Sequence, residues 1–173
     1  MIRRPDNLIT SDYFAGYVNR TQEEDLLKGL EKSLDCTLCL LNGLSDSEAG
    51  YSYSEGKWTI KQVVQHLTDT ERVFTYRALS IARGDRQNLC GFDEDGFAEN
   101  DCSSNRNFSD ILKEFEVVRK STILLFDSFS SDVLDNIGAA NGVNFTPRIL
   151  GWVLLGHELH HVGVIKERYL LQD

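Results

Sequence analysis

Only two prolines occur in this chain, Pro5 and Pro147, and apolar–polar alternation of the kind that marks a half-buried strand is scarce. Proline inside a helix removes a hydrogen bond and clashes with the preceding turn, so the stretch between the two is free to form long helices. Four segments repeat apolar residues at helical spacing. The first spans about residues 20–43, with Leu26, Leu27, Leu30, Leu34, Leu38 and Leu41 on one face. The second opens at Thr59, an N-cap with Gln62 placed to complete a capping box, and runs to about Arg83, where Gly84 stops it. The third spans about 107–129, with a seam of Ile111, Phe115, Val118, Thr122, Leu125 and Phe129. The fourth begins at Thr146-Pro147, proline being suited to the first helical position, and extends to about Leu171. Its first half, ILGWVLLG, is apolar on every face and is expected to be buried on most sides.

Four helices of this length predict an all-α fold, a four-helix bundle formed by a single domain over residues 1–173. The connections, about 44–58, 85–106 and 130–144, are longer than a minimal bundle needs. Net charge is −9 and no basic cluster is present, so nucleic acid is not an expected partner. No apolar segment is long enough to span a bilayer, and Pro5, Asp6 and Asn7 fall where a signal peptide needs an apolar run. The expectation is a cytoplasmic protein without a membrane partner. Of the four cysteines, Cys36 and Cys39 form a C-x-x-C without the context of a redox or metal motif, and they are expected to pack in the core.

Three of the four histidines lie in GHELHHVGVI, residues 156–165. Successive side chains on an α-helix turn by about 100°, which sets His157 and His161 about 40° apart, one turn above the other. Such a pair can grip one ion, with Glu158 and His160 flanking the stripe on opposite sides. His157, Glu158 and His161 also spell H-E-x-x-H, the helix of a zinc peptidase. That function is disfavoured: the extended motif needs Gly at 164 and His at 167, where this chain has Val164 and Glu167. A glutamate from a later helix is excluded by the few residues that follow. The fourth histidine, His66, sits mid-way along the second helix among Val63, Val64 and Leu67. If the second and fourth helices are neighbours, His66 can join the pair. Three imidazoles with an open position describe a catalytic-type site for Zn²⁺ or Ni²⁺. The other reading makes His66 a lone buried histidine and HELHH a polar helix face. Apolar surroundings favour metal, because unpaired imidazoles are costly to bury.

The stretch GKWTIKQVVQHLTDTE, residues 56–71, resembles the signature of the DinB/YfiT-like superfamily, in which a Trp precedes a helix carrying H-L-x-D-x-E. GWVLLGHELHHVGVIKERYL, residues 151–170, resembles the last helix of the same family, and SDYFAGYV near the N-terminus resembles it more weakly. The resemblance implies a bundle of a variant up-and-down topology, often a homodimer. It also implies a divalent metal, zinc or nickel, held by one histidine of the first motif and two of the second; by position these are His66, His157 and His161. Family members include metal-dependent transferases that use low-molecular-weight thiols, a thiol-dependent isomerase and proteins described only as metal-dependent hydrolases. The implied function is a metal-dependent thiol transferase or hydrolase acting on a small-molecule substrate; the rival is a non-catalytic metal-binding or stress-related bundle. A metal in such a site lowers the pKa of a bound water or thiol.

Asp69, three residues after His66, is a candidate to orient an imidazole or take a proton, and Glu158 and His160 are candidates at the rim. Glu71 is turned away from His66 and reads as structural. Trp58 and Trp152 read as core anchors, with Trp58 also able to wall a pocket. The open metal position is expected to face a pocket between the second and fourth helices, with the loops after the second and third helices in its wall.

Overall fold

In the computed structural model, residues 1–170 are described. The long helices are α2 (Leu26–Leu41), α4 (Ile60–Ala82), α6 (Phe108–Asp127) and α7 (Pro147–Ile165). Shorter helices α1 (Asp12–Val18), α3 (Asp46–Ala49) and α5 (Glu94–Glu99) and strands β1 (Asn88–Leu89), β2 (Gly138–Ala140) and β3 (Val143–Phe145) fill the connections. Helix α7 continues into a wider, π-type turn over Lys166–Leu170; Leu171, the expected end of the fourth helix, lies outside the described residues.

The helix boundaries follow the local chemistry. The Thr59 hydroxyl accepts from the Gln62 N–H while the Gln62 side chain accepts from the Thr59 N–H, closing the expected capping box. Gly84, at φ +88°, ends that helix in a conformation that strains any side chain. Pro147 stands at the start of α7, behind Thr146, whose hydroxyl accepts from the Ile149 N–H at 3.1 Å. Helix α2 starts later than the periodicity predicts, because Asp25 is extended (φ −131°, ψ 120°). Its carboxylate accepts from the Ile2 N–H at 2.9 Å, and the Leu26 N–H donates to the Ile2 carbonyl. The N-terminal segment therefore occupies the space where another helical turn would run.

Helix α2 packs against α6 and α7, and α4 packs against the same two. The order round the bundle is α2, α6, α4, α7, so the consecutive long helices α2 and α4 are diagonal. A plain up-and-down bundle sets consecutive helices side by side; here α6 and α7 are diagonal as well, which lengthens two of the connections, whereas the longest, residues 83–107, joins the neighbours α4 and α6. The connections are also structured. Strand β1 pairs in parallel with β2, and β2 pairs antiparallel with β3 in the register Ala140↔Val143. The β2–β3 hairpin turns at Asn141-Gly142, with φ of +50° and +74°, the positive-φ pair of a type I′ turn. A Cβ on Gly138 would meet Ile81 Cγ1 at 2.5 Å, so this small sheet lies directly on the end of α4.

The apolar core has two parts, one around the first half of α7 and one around the start of α4 and α6. Trp152 is fully buried in the first, its Nε1–H donating to the Arg3 carbonyl at 3.1 Å. Along α4, α6 and α7 the two parts meet at Glu71, Arg119 and Glu158, all buried. Arg119 donates through Nε and Nη2 to both oxygens of Glu71, at 2.8 and 2.7 Å, and through Nη1 to Glu158 Oε2 at 2.5 Å. The Thr37 hydroxyl of α2 donates to Glu158 Oε1 at 2.7 Å, so all four long helices enter this polar layer. Burial alone would lower the Arg119 pKa, but the Glu158 and Glu71 carboxylates outweigh it and hold the group charged.

The buried face of α6 is Ile111, Phe115, Arg119, Thr122 and Phe126, rotated from the expected seam and leaving Val118 and Leu125 half-buried. Cys36 and Cys39 are exposed rather than in the core, because the buried stripe of α2 runs through Leu30, Ser33, Leu34, Thr37 and Leu41. No helix among the described residues is long and apolar enough to cross a membrane.

Candidate metal centre and its pocket

Because α4 and α7 are neighbours, His66 meets the α7 pair. His66 Nε2 lies 3.1 Å from His157 Nε2, and His161 Nε2 lies 3.0 Å from the same atom. One ligand atom from each of the three can be chosen so that all lie within 4.8 Å of one another. A proton on one nitrogen bridges at most one of these contacts; the remaining lone pairs face each other, an arrangement that a cation relieves. Two metal–nitrogen bonds of the usual length at a tetrahedral angle separate their nitrogens by about 3.3 Å, close to what is seen. The donor set fits a divalent ion.

The electrostatics favour the neutral, ligating form of each ring. Burial pushes the His66 pKa down to about 4, against a small opposing effect of Asp95. Burial, then the neighbouring histidines His66 and His160, push His161 down to about 3. His157 is held well below the ordinary value by burial and by His161 and His66. These rings refuse protons that an unfolded chain, with histidine pKa near 6.5, accepts. The metal-free protein is therefore expected to keep its stability above pH 6.5 and to lose it as pH falls from 6.5 towards about 4. Urea midpoints at pH 7.5 and pH 5.5, measured with a chelator present, check this; equal midpoints would contradict it.

The three rings line a cavity of about 540 Å³. Trp58, just ahead of α4, lies over His66 with ring centroids 4.9 Å apart, walling the site as the sequence allows. The loops after α4 and α6 both contribute to the wall, through Phe92 and Asp95 on one side and Asn141 and Val143 on the other. Helix α1 closes a further side, with the Tyr17 ring edge-on to His157 at 5.3 Å. Burial, and then the Tyr13 hydroxyl 3.0 Å away, push the Tyr17 phenol upward and keep it protonated. That approach depends on Gly156: a Cβ there would sit 2.0 Å from the Tyr17 carbonyl oxygen. Gly156→Ala is expected to displace α1 and destabilise the protein by about 1–3 kcal/mol, read as a lower urea midpoint. An unchanged midpoint would show that α1 does not pack on α7 in this way.

The flanking candidates separate. His160 is on the cavity wall, half-buried, its ring 5.8 Å from Tyr17 and its pKa lowered by burial and by Arg20. It is outside the three-histidine cluster. Glu158 is not at the rim: it points to the bundle interior, where Arg119 and Thr37 take up its oxygens. Asp69 is bonded to Gln65 and Arg72 at 3.1 and 3.2 Å and lies off the cavity wall. Its carboxyl is pushed up by burial against the opposing effect of those two partners. Neither carboxylate is placed to serve the pocket. Thr70 and Arg77, which do line it, were passed over in the sequence, although they follow His66 by four and eleven residues on the same helical face.

A model of the DinB superfamily matches residues 30–165, most of the chain. The chain belongs to the DinB superfamily. A protein of Oceanobacillus iheyensis named "Putative metal-dependent hydrolase" is 27% identical to this DinB protein over 132 residues, 73% of each chain. Among solved structures, YfiT from Bacillus subtilis superposes with a TM-score of 0.72 at 18% identity, over 95% of this chain and 90% of its own. It is described as "a probable metal-dependent hydrolase with an unusual four-helix bundle topology". The mycothiol-dependent maleylpyruvate isomerase superposes with a TM-score of 0.67 at 15% identity, over 84% of this chain and 61% of that longer one. At these identities the two structures show the shared fold.

Proposed function

We propose that this DinB protein is a divalent-metal-dependent enzyme that acts on a small molecule, with hydrolysis as its first-choice reaction. The observation that carries the reading is the convergence of His66, His157 and His161, all held neutral, on one wall of a cavity. A zinc or nickel ion held by these three residues supplies Lewis acidity and lowers the pKa of a water or thiol. With three protein ligands, such an ion would have room for a water or substrate from the cavity. The protein's own part is to exclude bulk water with Trp58, Tyr17 and the two loops, and to offer His160 as a proton carrier at the wall. The relative from Oceanobacillus iheyensis and YfiT, both described as metal-dependent hydrolases, support the same choice.

A second reading, transfer of a low-molecular-weight thiol to an electrophile, is favoured by the size of the cavity, which can hold a second reactant beside the ion. One experiment separates the two. The purified protein, loaded with zinc or with nickel, is screened against esters and amides without thiol, and against electrophiles with assorted small thiols. Chelator-sensitive turnover without thiol supports hydrolysis; turnover only with thiol supports transfer. Global unfolding on chelation, with no turnover in either arm, would replace both with a structural metal site.

A further inference from the structure

Two residues of α4 that line the pocket each carry a buried polar atom without a hydrogen-bond partner, Thr70 Oγ1 and Arg77 Nε. Arg77 is only 4% exposed. Its Nη2 donates to the Cys90 carbonyl at 2.9 Å, and its guanidinium lies 5.2 Å from the centre of the Phe74 ring and 5.8 Å from that of Phe92. Among the described residues no carboxylate forms an ion pair with it, whereas the other buried guanidinium, Arg119, holds two. Guanidinium does not deprotonate in proteins, and a buried charge without a counter-charge is costly.

The Thr70 hydroxyl is unusual in the same way. Thr68, Thr75 and Thr122 each donate to the carbonyl one turn earlier, at 2.9, 2.7 and 3.1 Å. Thr70, equally helical, makes no such bond and lies on the cavity wall, between His66 and Arg77 along the helix. Arg77 is the one Lys or Arg side chain in that wall among the described residues. Around it the wall is mostly aromatic, with Phe14, Phe74, Phe92 and Phe145.

We propose that Arg77 and Thr70 form a carboxylate-binding subsite, and that the ligand of this pocket is a small organic monocarboxylate with an apolar or aromatic body. A guanidinium edge with a free Nε–H matches the planar carboxylate, and the aromatic wall takes the body. A phosphate dianion fits poorly, since the wall offers no second Lys or Arg among the described residues and Glu94 and Asp95 share it. Eleven residues separate His66 from Arg77, about 16 Å of helix, and side chains lean back towards the helix N-terminus. The long Arg77 side chain spans part of that length, so a carboxylate held by it stays apart from the histidines and presents the body of the acid towards them. The inference rests on reading the pocket as a substrate site and is independent of whether a metal is bound.

The test uses protein labelled with ¹⁵N-arginine, zinc-loaded and chelator-treated, titrated with 3-phenylpropanoate, its neutral amide and inorganic phosphate. The acid is expected to shift the Arg77 Nε–H resonance, identified by its loss in Arg77→Met, and to bind at least about tenfold more tightly than the amide. Arg77→Met should abolish the preference and leave the amide's affinity unchanged, while Thr70→Val should reduce it. Equal affinity for acid and amide, a preference that survives Arg77→Met, or phosphate binding as tightly as the acid each overturns the subsite. Should Arg77→Met not fold, the acid–amide comparison in the unmodified protein and Thr70→Val decides. Acid preference without zinc uptake keeps the subsite and removes the metal reading; zinc uptake without acid preference does the reverse.

Discussion

Replacing His161 with Ala is expected to lower zinc affinity at least about a hundredfold, because it removes one of three ligands outright where even supporting residues are worth 10–100-fold. Turnover should vanish with the metal. The bundle should remain folded, since the apolar contacts of α7 run through residues such as Trp152, Leu155 and Val162 rather than through this half-buried ring. Equilibrium dialysis against zinc, with far-UV circular dichroism as the folding check, reads both effects. His160→Ala is the internal control: its ring belongs to the cavity wall but not to the cluster, so zinc should stay bound. A rate loss in that variant then reports proton transfer. Zinc binding unaffected by His161→Ala and lost in His160→Ala would overturn the ligand assignment.

The histidine geometry was legible in the sequence because it depends on two short-range facts, helical spacing on α7 and a capping box that fixes where α4 begins. Only the adjacency of α4 and α7 had to come from outside the pattern, and the family resemblance implied it. What was not legible depends on contacts between segments far apart in the chain. Glu158 and Asp69 look equally available from helical angles, yet one is engaged by Arg119 of α6 and the other by its own neighbours Gln65 and Arg72. Arg119 is absent from the expected seam of α6, although it stands on the buried face between Phe115 and Thr122. Periodicity counts apolar residues, and a buried ion pair is invisible to it. Helix α1 is too short for a periodic signal, and Gly156, the position of its close approach, is one of three glycines in α7, with Gly151 and Gly163, so the sequence alone does not single it out. The hairpin at Asn141-Gly142 did carry a signal, the strongest short-range one for such a turn, but its strands are three residues each and show no alternation.

Arg119→Met is expected to destabilise the protein by about 3–5 kcal/mol, the usual cost of removing one partner from a buried ionic group. It would leave Glu71 and Glu158 facing each other in the core without a cation. Adding Glu71→Gln and Glu158→Gln to the same chain should recover part of that loss, because amides need no counter-charge and the three positions act as a unit. Urea unfolding of the single and triple variants measures both steps, and a single variant within about 1 kcal/mol of the unmodified protein would count against the layer as described. The effect should also reach the metal centre. Glu158 and His157 are consecutive on α7, so their side chains diverge by about 100°, one into the bundle and one into the cavity. Holding Glu158 between Arg119 and Thr37 therefore fixes the rotation of α7 at the point where His157 and His161 must face His66. Any triple variant that regains stability while losing zinc affinity would show that this ionic layer is retained for aiming the histidines rather than for stabilising the bundle.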